Sequence, residues 1–138
     1  MKKLINVFML TLVALISAPS FANPDDSCDG EQTIFSAVTQ KGNKFLQTCF
    51  VYGDVRYVFG KINTTKQDII LNVPLAEVKY KMGNDWESFT IPNGDYAYEV
   101  YYPMKGYPAI IIYKNDQQIG TVDLNHPEQE FDSRFFNN

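Results

Sequence analysis

The sequence predicts an all-β fold: an antiparallel meander of about eight strands, closed as a small barrel or folded as a sandwich, with a short C-terminal tail or helical turn. Three observations carry this reading. Short runs alternate apolar and polar residues with a period of two. Turn residues interrupt them at a spacing of roughly ten residues. Beyond residue 22, no stretch long enough for a helix (about 11 residues) keeps a 3.6-residue period.

Residues 1–22 stand apart from that pattern. Lys2 and Lys3 open the chain, Leu4 to Ile16 is apolar except for Asn6 and Thr11, and Pro19-Ser20-Phe21-Ala22 ends the segment with small residues at the −3 and −1 positions. This is the layout of a cleaved export signal of bacterial type, with cleavage after Ala22. The apolar run is shorter than the ~18 residues of a spanning helix, so no membrane span is expected after cleavage. Residues 23–31 read as a polar lead-in, 32–124 as the β domain and 125–138 as a C-terminal tail.

Within the domain, Thr33 to Thr39 and Phe45 to Tyr52 pair around Lys41-Gly42-Asn43. Asp54 to Phe59 puts Val55, Tyr57 and Phe59 on one face, and Asp68 to Val73 does so with Ile69, Leu71 and Val73 before Pro74 stops it. Glu77 to Lys81 is a weaker strand. Trp86 to Ile91 leads into Asn93-Gly94, a type I′ hairpin signal. Asp95 to Tyr102 aligns Tyr96, Tyr98, Val100 and Tyr102. Ala109 to Tyr113 reads as a buried strand, and Asn115-Asp116 turns it into Gln118 to Leu124. In the tail, Phe131, Phe135 and Phe136 are too apolar to hang free and are expected to cap an open end of the sheet, with a helical turn aligning Phe131 and Phe135.

The formal net charge is −4, and removal of Lys2 and Lys3 with the signal takes it to −6. That balance argues against nucleic acid and anionic membrane surfaces as partners and is compatible with a cationic one. Cys28 and Cys49 are the two cysteines. In an oxidising compartment a disulfide between them is the default, closing a loop of about 20 residues and contributing ~3 kcal/mol on the chain-entropy model. With Cys49 placed opposite Phe35 to Ala37, Cys28 would have to fold back over the hairpin to reach it.

No motif identifies a reaction, cofactor or metal. His126, the one histidine, lies beside Pro127 in the tail with Asp123, Glu128 and Glu130 near it, at no established ligand spacing. The carboxylates Asp54, Asp68, Asp85, Glu87, Asp95 and Glu99 form a pair only if the fold sets two across a cleft. Asn63-Thr64-Thr65 matches a glycosylation sequon that carries little meaning in a bacterial protein. The aromatic residues are more suggestive: six of the nine tyrosines fall between 96 and 113. Tyr101, out of phase with the core set, Tyr107 in the Lys105-Gly106-Tyr107-Pro108 loop, and Trp86 near a turn are the candidate partner-binding residues, because rings give large contact area at low entropy cost.

The string Cys28-x-x-Glu31-x-x-Ile34-Phe35-Ser36, then Thr39, Cys49 and Tyr57-x-Phe59-Gly60, resembles a family of small exported bacterial β-rich proteins. The hairpin Asn93-Gly94-x-Tyr96-x-Tyr98-x-Val100-Tyr101 is similar to it as well. The resemblance implies export and β-architecture, and no mechanism. Ala37 stands where that family carries a cysteine, and Val58 where it carries an arginine. A looser architectural resemblance is to periplasmic lysozyme inhibitors, whose Ser-Gly-x-x-Tyr loop is absent. The expected function is therefore periplasmic or secreted binding of a protein or envelope component, with inhibition of a cationic cell-wall enzyme its most concrete form. Hydrolysis of an envelope polymer by paired carboxylates, or a structural envelope role, are the alternatives.

Overall fold

Alternating runs become strands wherever one face finds apolar cover. The computed structural model describes Cys28 and residues 32–62, 67–127 and 130–137, so the signal segment, nearly all of the lead-in and the sequon lie outside the described residues. Nine strands follow in order: β1 (Gln32–Val38), β2 (Lys44–Val51), β3 (Asp54–Lys61), β4 (Gln67–Pro74), β5 (Lys79–Met82), β6 (Trp86–Asn93), β7 (Tyr96–Pro103), β8 (Ala109–Lys114) and β9 (Gln117–Asp123). Within each of two sheets, every strand pairs antiparallel with its neighbour in sequence, giving a four-stranded sheet β1-β2-β3-β4 and a five-stranded sheet β5-β6-β7-β8-β9. Two 3₁₀ turns, Leu75–Glu77 and Ser133–Phe136, complete the described structure.

The architecture is sandwich-like, which corrects the barrel alternative. The sheets meet along one edge through a single bridge between Thr39 and Leu124, reinforced by Gln40 N–H to Asp123 C=O (2.9 Å) and Asn125 N–H to Val38 C=O (2.8 Å). At the opposite edge, the 3₁₀ turn Leu75–Glu77 carries the chain from one sheet to the other, and β4 and β5 do not pair. Pro74, which has no N–H to donate, ends β4 at this open edge.

The core fills the space between the inner faces. Ile34, Phe35, Leu46, Val55 and Tyr57 from the first sheet meet Phe89, Ile91, Tyr98, Val100 and Ile110 from the second. Tyr57 stacks on Tyr98 across the sheets, with ring centres 5.4 Å apart and planes 16° from parallel. Thr48, fully buried among these residues, donates its hydroxyl to the Phe35 carbonyl (3.1 Å), which removes the cost of an unpaired polar group.

The tail closes one end of the sandwich. Phe131 stacks on Tyr102 (5.9 Å) and lies against Phe89 (5.3 Å), Phe136 stacks on Phe89 and Tyr80 (both 5.3 Å), and Phe135 stacks on Phe50 (5.2 Å). Pairs of this kind add roughly 0.5–1.5 kcal/mol beyond their buried area. Asp132 N–H donates to Ile34 C=O (2.9 Å) and its carboxylate caps the turn at the Arg134 N–H (3.1 Å). The helical turn is 3₁₀ and begins at Ser133, so Phe131 precedes it.

Cys28 and Cys49 form a disulfide with Cα atoms 5.9 Å apart, buried beside Val51. The geometry differs from the sequence expectation in one respect. A bulge between Thr33 and Phe35 sets Cys49 opposite Thr33, five residues from Cys28, and shortens the fold-back.

The hairpins also refine the expected turns. Asn93 pairs with Tyr96, so the β6–β7 loop is Gly94-Asp95, and Gly94 alone takes a positive φ (62°). That pattern belongs to type II′ instead of type I′. Asn115 and Asp116 both take positive φ (51° and 66°), as type I′ requires. Tyr52 does the same at φ 50°, in the two-residue turn between β2 and β3 where it is 93% exposed.

Two predictions follow from these strains and burials. A tyrosine in the left-handed region is disfavoured by about 1 kcal/mol or more, and Asn-Gly is the preferred sequence for such a turn. Tyr52→Asn is therefore expected to raise the stability measured by chemical denaturation by about 1 kcal/mol, and an unchanged or lower midpoint would refute the strain. Burial pushes the phenols of Tyr57, Tyr80 and Tyr102 above their ordinary 10.0. A raised value favours the neutral phenol in the folded state, so stability is level below about pH 10 and falls above it, where the unfolded chain ionises first. Melts followed by circular dichroism between about pH 8 and 11.5 should show that fall, and Tyr57→Phe should make it shallower.

Candidate functional site

The outer face of the second sheet is built by the same alternation that fills its inner face. On β7, Tyr98, Val100 and Tyr102 point into the core, so Ala97, Glu99 and Tyr101 point out. The antiparallel registers lay neighbours beside them: Lys79, Thr90, Glu99, Ile111 and Thr121 form one row across all five strands. Lys81, Ser88, Tyr101, Ala109 and Asp123 form the next.

Glu99 sits at the centre of this face and is only 9% exposed. Its two oxygens are held from opposite flanks. Ser88 on β6, itself fully buried, donates its hydroxyl to Oε2 (2.7 Å), and Tyr113 on β8 donates its phenol to Oε1 (2.8 Å). Both bonds run diagonally between rows, which the twist of adjacent strands permits. Burial, and then the bond to Glu99, push the Tyr113 phenol above its ordinary value, keeping it a donor through the neutral range. Among the described residues Glu99 has no ion-pair partner.

A cavity of about 330 Å³ opens over this carboxylate. Thr90, Ala97 and Tyr113 line it beside Glu99, the acids Glu77, Asp95 and Asp116 face it, and Lys79 and Lys81 face it from the edge strand β5. Its lining carries four carboxylates against two ammonium groups and is net negative. A second cavity, of about 480 Å³, lies where the sheets join, between Lys41, Lys44, Phe59 and Thr121. There the Lys44 ammonium is already engaged by Asp68 (2.7 Å) and stands over the Phe59 ring (5.5 Å).

Of the three aromatic residues singled out in the sequence, the fold brings two together. Trp86 and Tyr101 lie with ring centres 5.9 Å apart on the outer face of the second sheet, Tyr101 two residues along β7 from Glu99. The Trp86 indole rests on Gly83, where a Cβ would fall on indole Nε1. Tyr107 is apart from them in the β7–β8 loop, 53% exposed, with its ring against that of His126 (4.6 Å). Among the described residues no three His, Cys, Asp or Glu side chains are placed to hold a metal ion. No helix there is long and apolar enough to cross a membrane. The chain matches no family model, no curated protein and no solved structure.

Sequence reasoning passed over Ser88, Lys79 and Lys81, and treated Glu99 as one carboxylate among many. The signal that marks Glu99 is its phase: a carboxylate between Tyr98 and Val100, in register with the off-core Tyr101. Because Trp86 is the one tryptophan, its emission reports directly on this face. Gly83→Ala should push the indole off its seat and shift that emission to the red without a comparable loss of far-ultraviolet circular dichroism. An unaltered spectrum would show that the ring is not seated on Gly83.

Proposed function

We propose that the chain is a non-catalytic binding protein, exported to the periplasm or beyond, that engages a cationic partner through the outer face of its second sheet. Its most concrete form is inhibition of a cationic cell-wall enzyme. The observation that carries the proposal is Glu99, a residue nine-tenths buried whose carboxylate is fixed by two hydroxyls, lines a net-negative cavity and has no ion-pair partner among the described residues. A fixed anion of this kind is preorganised for a positive group, since its orientation costs nothing further on binding. Trp86 and Tyr101 supply rigid contact area beside it. The export-signal layout of residues 1–22 and the oxidised cysteine pair both support an extracytoplasmic location.

The test is binding of the chain from Asn23 onwards to a lysozyme and to envelope extracts, at low and high salt. A complex weakened at least about tenfold between ~0.05 M and ~0.5 M salt, and weakened again by Glu99→Gln, is expected. Failure to retain any cationic enzyme, or binding indifferent to both salt and Glu99→Gln, would remove the proposal.

A further inference from the structure

We infer that the Glu99 cavity is a guanidinium site, receiving the side chain of an arginine. The inference rests on the binding reading above and names the group that is recognised. Ser88 and Tyr113 each occupy one oxygen of the carboxylate from opposite strands, which locks its plane and leaves further accepting capacity on both oxygens. Two fixed oxygens side by side match the paired N–H groups of a planar guanidinium, whereas an ammonium meets them as a single point charge.

The surroundings favour the same group. A guanidinium is more weakly hydrated than an ammonium, so it loses less on entering a recess lined by the largely buried Glu99. Tyr113 lines the cavity beside Glu99, and guanidinium planes stack on aromatic rings. The backbones of Lys79 and Lys81 lie on β5, two strand spacings and so roughly 10 Å from that of Glu99. They line the recess without an ion pair to Glu99, and Glu77, Asp95 and Asp116 outnumber them. A cavity of about 330 Å³ accommodates one side chain and little of the backbone behind it.

The experiment titrates the oxidised chain with acetyl-Gly-Arg-Gly-amide, its lysine and citrulline counterparts, and free arginine, following backbone amide shifts. The arginine peptide should saturate shifts confined to β6, β7 and β8. The lysine peptide should bind about fivefold or more weakly, and the neutral citrulline peptide should not bind. Glu99→Gln should weaken the arginine peptide at least about tenfold. Tyr113→Phe, which frees Oε1 without removing the charge, should give a smaller loss and serves if Glu99→Gln does not fold. Equal binding of lysine or citrulline, or shifts centred elsewhere, would overturn the site. Free arginine binding as well as the peptide would uphold the guanidinium pocket and remove the protein-partner reading. A cationic enzyme still bound by Glu99→Gln would do the reverse.

Discussion

The stacking of Tyr98 on Tyr57 sets the phase of β7, and the outer face of the second sheet depends on that phase. A strand has two faces and a period of two, so committing Tyr98, Val100 and Tyr102 to the core leaves Glu99 and Tyr101 no inward alternative. A slip of one residue would bury the Glu99 carboxylate among Phe89, Ile91 and Ile110 and expose three large apolar side chains. The core and the candidate site are thus specified by one register, and the hairpin turn at Gly94-Asp95 fixes it between β6 and β7. The tail contributes through Phe131, which stacks on Tyr102 and seals the end of the same inner face.

Much of the fold was legible because alternation is a local property. Val55, Tyr57 and Phe59, or Ile69, Leu71 and Val73, announce an inner face without reference to any other strand, and the structure places both sets inside. The turn positions were legible for the same reason, although the Gly94 loop took the II′ pattern because Asn93 remained in the ladder. Barrel and sandwich could not be separated, since both produce the same alternation. The difference lies in whether edge strands bond to one another, and that depends on Pro74 and the 3₁₀ turn after it meeting β5 in space.

The candidate site was legible only in fragments. Trp86 and Tyr101 stood out as aromatic residues off the core phase, and the fold sets them together. Glu99 could be recognised as outward-facing, but its partners Ser88 and Tyr113 lie 11 and 14 residues away on different strands. Their convergence needs two registers and a diagonal offset, none of which sequence spacing encodes. The disulfide sits between these cases. Its pairing follows from a count of two cysteines, while the register that sets Cys49 opposite Thr33 includes a bulge at Thr33–Phe35, which the sequence did not announce.

Glu99 is also the place where stability and composition part company. Taking a carboxylate out of water costs several kcal/mol even after relaxation. Charge-assisted hydrogen bonds from Ser88 and Tyr113 return roughly 1.5–3 kcal/mol each, so the hydroxyls offset the cost without exceeding it by much. An apolar residue of similar volume between Thr90 and Ile111 would extend the packing of that row and require no partners at all. Replacing the carboxylate together with its two hydroxyl partners by apolar groups of the same shape can be nearly neutral or stabilising. A domain needing only a filled outer face would therefore gain nothing from a carboxylate here, nor from two hydroxyls committed to holding it. The arrangement makes energetic sense once a positive group from outside completes it, because the desolvation is already done and the geometry already fixed before that group arrives.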